Sequence, residues 1–169
     1  MKAKKGFSLI ELIIVIAIMA ILVGVMAPVL IRYVNKTKVS ADVQLCDTVK
    51  EAILISMSDP DVFLDTNSAT YLNKLNSGQT LAMGTISSNS EFGKNLRDIT
   101  GFDCISISGY RSEFKTKIAQ SQGCLCASIY EGQLYVWIDY SDNTGKDNTA
   151  YRASFANQLA ISPNVIAAK

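Results

Sequence analysis

Leu12 to Ile31 is a stretch of twenty residues that are all apolar, Gly or Pro and carry no charge. At about 1.5 Å of rise per residue it forms a helix of roughly 30 Å, the thickness of the hydrocarbon core of a bilayer. A helix that is apolar on every side has no water-facing stripe, so it must lie in lipid or inside a bundle of other helices. Lys2, Lys4 and Lys5 precede the run. Positive charge holds its flank in the cytoplasm, so the residues after Ile31 are expected on the far side of the membrane. With 169 residues in all, that exported part is enough for one domain of ordinary size.

Three kinds of segment share this outline. A cleavable secretory signal has an apolar region of about 7–15 residues, which is shorter, and Pro28 after Val25-Met26-Ala27 would hinder the peptidase. A plain single-pass anchor fits the length and the lysines but gives no reason for Glu11 at the edge of the run. A carboxylate inside a membrane segment costs free energy and points to a function. The third kind is a subunit processed at the membrane, and only this reading uses Glu11.

The residues Lys4-Lys5-Gly6-Phe7-Ser8-Leu9-Ile10-Glu11-Leu12 resemble the prepilin signal of type IV pilins and pseudopilins: a basic leader ending in Gly, then Phe, a hydroxyl residue, two apolar residues and Glu. Pro28 extends the resemblance, which is detailed over residues 2 to 31. It implies that a membrane-embedded prepilin peptidase cuts between Gly6 and Phe7 and N-methylates the new amine of Phe7. It also implies that Glu11 pairs with the amino terminus of Phe7 in a neighbouring subunit. In a single subunit that carboxylate is expected to be poorly solvated. Opposite charges attract strongly at low dielectric, but only when both are present and close. Pro28 lacks an N–H and Gly24 is a weak helix former, so a kink or local melting is expected over 24–28. The division implied is a leader over 1–6, a membrane and filament-core half-helix over 7–31, and a head over 32–169.

The rest of the chain reads as an α+β head. Leu45, Cys46, Val49, Ala52, Ile53 and Met57 recur at three- and four-residue spacing, while Asp42, Asp47, Lys50 and Glu51 fall off that face. One long helix is expected over about 7–58, ended by Asp59-Pro60, its C-terminal half packed on a small antiparallel sheet. Short helices are expected over 68–76 and over 90–100, with Ser90 as N-cap and Gly101 as stop. Residues 104–108 and 114–119 read as strands. Residues 124–130 and 133–140 read as a hairpin turning at Glu131-Gly132, with Leu134, Val136 and Ile138 on one face and Tyr135, Trp137 and Asp139 on the other. Residues 149–159 suggest a final short element. This agrees with the type IV pilin fold that the resemblance implies.

Cys46, Cys104, Cys124 and Cys126 all fall in the exported part. Two disulfides, buried thiols and a four-thiolate zinc site are the open readings. Asp139, Asp142, Asn143 and Asp147 form an oxygen-rich turn, a weak calcium candidate without EF-hand spacing, and otherwise a polar surface turn. Asn148 and Phe155 add to a partial likeness with a segment of related pseudopilins.

The chain has no histidine, no Gly-x-Ser-x-Gly and no phosphate loop, so nothing in it points to an enzyme or a cofactor. A net charge of +1 excludes a strongly basic nucleic-acid binder, and loss of residues 1–6 with their three lysines leaves 13 basic against 15 acidic side chains. The function implied by the resemblance is a structural subunit of a type IV pilus, serving adhesion or motility. A pseudopilin of a secretion or DNA-uptake system, and a minor pilin that binds a host surface or DNA, are the alternatives. The partners implied are other copies and other pilins in a helical filament, the prepilin peptidase, an inner-membrane platform protein and a cytoplasmic assembly ATPase. The precursor would sit in the cytoplasmic membrane, and the assembled subunit in an extracellular pilus.

Overall fold

The computed structural model describes residues 8–139 and 166–168. Gly6, Phe7, Asp142, Asn143, Asp147, Asn148, Phe155 and the element expected over 149–159 lie outside the described residues. Two compact units divide the chain, one up to Thr37 and one from Lys38.

Helix α1 spans Leu9–Ser56 and passes through Gly24 and Pro28 without a break in helical assignment. In the first unit its apolar side chains are all exposed: Ile14, Leu22, Val25 and Leu30 keep 53–67% of their surface. Its length and hydropathy are those of a membrane-spanning helix.

In the second unit α1 changes character. Asp42, Cys46, Val49, Ala52, Ile53 and Ser56 are buried, a stripe at helical spacing. The four apolar members share one core with Leu125 and Ala127 of strand β2 (Cys124–Tyr130) and with Leu134, Val136 and Ile138 of strand β3 (Gln133–Asp139). Leu45 and Met57 pack against that core. This is the expected long helix on a small antiparallel sheet, the α+β arrangement of the type IV pilin fold. The expected hairpin is present, with Glu131 at φ 50° and Gly132 at φ 77°. Positive φ at both central residues is the turn that matches the twist of paired strands, and Gly adopts it at least cost.

The sheet has two strands that periodicity did not suggest: β1 (Leu81–Ala82) beside β2, and β4 (Ile166–Ala168) beside β3, in the order β1-β2-β3-β4. Two or three residues are too few to show an alternation.

Between α1 and the sheet lie α2 (Pro60–Leu64), α3 (Thr66–Asn76) and α4 (Glu91–Thr100). The expected N-cap is present, Ser90 Oγ accepting the Gly93 N–H at 3.0 Å, and Gly101 ends α4 at φ 73°. The strands expected over 104–108 and 114–119 are absent. Helices α5 (Ile107–Glu113) and α6 (Lys117–Gln122) stand there instead. Tyr110 and Phe114, four residues apart and both fully buried, need a helical turn at this place to reach one core together. Tertiary packing overrides the β propensity of the Ile and Phe residues.

Candidate functional site

The first turn of α1 is closed by its own side chains. The Ser8 backbone N–H donates to Glu11 Oε2 at 2.8 Å. Ser8-Leu9-Ile10-Glu11 has the spacing of a capping box, in which a Glu at the third helical position reaches back to the N–H of the cap. An anion at a helix N-terminus is also favoured by the helix dipole. Glu11 therefore has a hydrogen-bond partner within a single chain, where the sequence reading expected a poorly solvated anion. The Ser-x-x-Glu pattern ahead of an apolar run was the signal that could have shown this.

From Leu12 onward this segment offers no polar side chain until Arg32, and no carboxylate until Asp42. Pro28 sits inside the helix and carries no N–H, so the Gly24 carbonyl has no backbone donor four residues on. A Cβ built on Gly24 would meet nothing within 4 Å. The groove at this level is lined by Val25, Met26, Val29, Leu30 and Tyr33.

The head holds a second polar site that sequence reading misplaced. Asp42 was expected off the buried face. It is fully buried, and its carboxylate accepts the Lys115 N–H at 2.6 Å, the Thr116 N–H at 3.1 Å and the Thr116 hydroxyl at 2.6 Å. A carboxylate tolerates burial when several donors saturate it. These bonds fix the α5–α6 corner to α1 across more than seventy residues of sequence.

A third carboxylate joins two helix starts. Asp65 caps α3 through the N–H groups of Asn67 and Ser68 and also accepts the Glu91 N–H, at the start of α4, at 3.0 Å. The Ser68 hydroxyl donates to Asp65 at 2.5 Å and accepts the Phe92 N–H at 2.9 Å. The Ser68 hydroxyl and then the Glu91 N–H lower the Asp65 carboxyl to about 2.

The four cysteines are free thiols and all are buried. Cys124 and Cys126 project from the same face of β2, beside Ala82 and Trp137. The Cys126 thiol donates to Cys124 Sγ at 3.8 Å, and the Tyr110 hydroxyl donates to the same sulfur at 3.8 Å. The Cys126 bond, against burial and together with Tyr110, brings Cys124 down to about 7, while Cys126 is pushed up as the donor. Burial raises the Cys46 and Cys104 thiols. Among the described residues no three His, Cys, Asp or Glu side chains form a cluster that could hold a metal. Asp139, the one described member of the calcium candidate, ends β3.

The family described as the prokaryotic N-terminal methylation motif matches residues 1–27, the stretch that contains Ser8, Glu11 and most of the apolar run. The N-terminus of this chain matches an N-terminal methylation motif. Two curated relatives extend the similarity. A fimbrial protein of Moraxella nonliquefaciens is 40% identical over 65 residues, 38% of this chain and 42% of the relative. The type IV major fimbrial protein FimA of Dichelobacter nodosus is 43% identical over 58 residues, 34% of this chain and 36% of the relative. The chain thus spans about two fifths of the length of these relatives. No solved structure matches. The similarity thus lies in the N-terminal motif and the adjoining part of the chain, and both relatives are named fimbrial proteins.

Proposed function

We propose that this chain is a structural subunit of a type IV pilus. It is inserted in the membrane as a precursor, cut after Gly6, N-methylated at Phe7, and drawn with other copies into a helical filament by the platform protein and the assembly ATPase. It uses no catalytic residue of its own. The observation that carries this reading is the first half of α1: an apolar helix exposed on every side, begun by a carboxylate four residues after the Phe of the motif. Such a helix is stable only in lipid or in a bundle of its own kind. Burial at about 25 cal/mol per Å² makes that bundle the main driving force of assembly.

The geometry at Ser8 adds a step. Cleavage before Phe7 creates an ammonium one residue from the N–H that Glu11 already accepts. The chain's own amine and that of a neighbour then compete for one carboxylate. The neighbour's gains when the surroundings are dry, because attraction between charges rises as the dielectric falls. Glu11 so favours correct register in the filament over raw stability. Gly24 and Pro28 supply the soft point of the helix within the filament.

The test is mass spectrometry of the chain from cells with and without prepilin peptidase. Loss of residues 1–6 together with one added methyl on Phe7 is expected only when the enzyme is present. A precursor that remains whole beside an active peptidase overturns the proposal.

A further inference from the structure

The head-proximal flank of the apolar run carries Arg32 and Lys36, both exposed. No Asp or Glu lies between Glu11 and Asp42, so neither cation has an acidic neighbour on an adjacent turn. Val25, Val29, Arg32 and Lys36 follow at steps of four, three and four residues, which is one stripe of a helix. Two of these four line the groove formed by Val25, Met26, Val29, Leu30 and Tyr33. Side chains of a helix lean toward its N-terminus, so Arg32 and Lys36 lean toward the groove. Leu9 to Ile31 spans about 33 Å, which sets Arg32, Tyr33 and Lys36 at the depth of the lipid headgroups. Tyr is a usual residue at that depth.

We propose that this stripe is a binding site for one anionic phospholipid, its acyl chain in the Val25–Leu30 groove under the Tyr33 ring and its phosphate between Arg32 and Lys36. In the uncut chain at this depth of the membrane, charge complementarity selects this occupant over another copy, because residues 12–41 of such a copy hold no acid to receive Arg32 and Lys36. The proposal rests on the membrane-anchored reading but not on cleavage or assembly. It gives the anchor a preferred lipid at the end where extraction from the membrane would begin to meet the headgroups.

The test uses the full, uncut chain reconstituted in phosphatidylcholine vesicles with a trace of spin-labelled phosphatidylglycerol or spin-labelled phosphatidylcholine. Electron paramagnetic resonance reads the fraction of each lipid immobilised by the protein. The expected preference for phosphatidylglycerol is about five-fold, near what one cation at a lipid surface contributes. It should fall to about one in the Arg32→Gln/Lys36→Gln variant and stay unchanged in Lys50→Gln. It should weaken in high salt and resist free glycerol phosphate, which separates a lipid from a soluble phosphate. An equal preference in parent and double variant overturns the proposal, and so does displacement by glycerol phosphate. Chain-to-chain capture by a photo-crosslinker at Val29 with no lipid selectivity assigns the groove to a second copy and also overturns it. Release of the chain by a carbonate wash defeats the anchored reading itself and is read separately from lipid preference.

Discussion

Leu22 and Val49 lie on one continuous helix, yet the first keeps 58% of its surface and the second none. Both are aliphatic side chains in α-helical backbone, so local conformation does not separate them. The difference is what the chain supplies as a partner. Around Val49 every third or fourth residue is apolar, and the sheet and the short helices complete a core. Around Leu22 every residue is apolar, and none of the side chains described covers them. The second half of α1 draws its stability from its own chain, whereas the first half must draw it from lipid or from other chains. A substitution should therefore be felt in only one of two assays, head unfolding or membrane and filament behaviour.

Trp137 is the single tryptophan and lies buried in the head sheet, so its fluorescence reports head unfolding in the detergent-solubilised chain. The largest effect is expected from Phe92→Ala, which empties a fully buried aromatic site. Denaturant titration should show a loss of about 3–5 kcal/mol with membrane insertion unchanged. Next comes Asp42→Ala, which strands three donors at the α5–α6 corner and should cost about 2–4 kcal/mol, with Asp42→Asn retaining part of it. Ser90→Ala removes one helix cap and should cost about 1 kcal/mol. Leu12→Ala sharpens the contrast from the other side. It should shift the head's midpoint by less than about 0.5 kcal/mol while weakening filament yield.

Acid adds a prediction of direction. The Asp65 carboxyl is lower in the folded chain, at about 2, than the 3.8 of a free side chain. The unfolded chain thus binds the proton first. The stabilisation is complete above about pH 4 and is lost as pH falls toward 2. The chain with Asp65→Asn should show a flatter stability profile over that interval. An unchanged slope would remove Asp65 from the account.

The features legible in the sequence were those whose cause is local. The period of α1, the Ser90 and Gly101 ends of α4, and the Glu131-Gly132 turn each depend on residues within one or two turns. Local pattern suggests strands over 104–108 and 114–119, whereas α5 and α6 form there because Tyr110 and Phe114 reach the core together and Asp42 of α1 holds the corner between them. The sequence pattern sets Asp42 off the apolar face of α1, since the donors that bury it lie more than seventy residues away. In the N-terminal segment the sequence singles out Glu11 through the motif, while its bond to the Ser8 N–H rests on the Ser-x-x-Glu spacing that the motif reading leaves unused.

Pro28 has one more consequence, for length. A helical residue advances the chain by about 1.5 Å and an extended one by about 3.3 Å. If the five residues from Gly24 to Pro28 were to unwind, the run would lengthen by about 9 Å. Because the Gly24 carbonyl already lacks a backbone donor there, that gain would break one hydrogen bond fewer than elsewhere along α1. Under tension this segment would act as a molecular slip link, yielding first and re-forming when the load is removed.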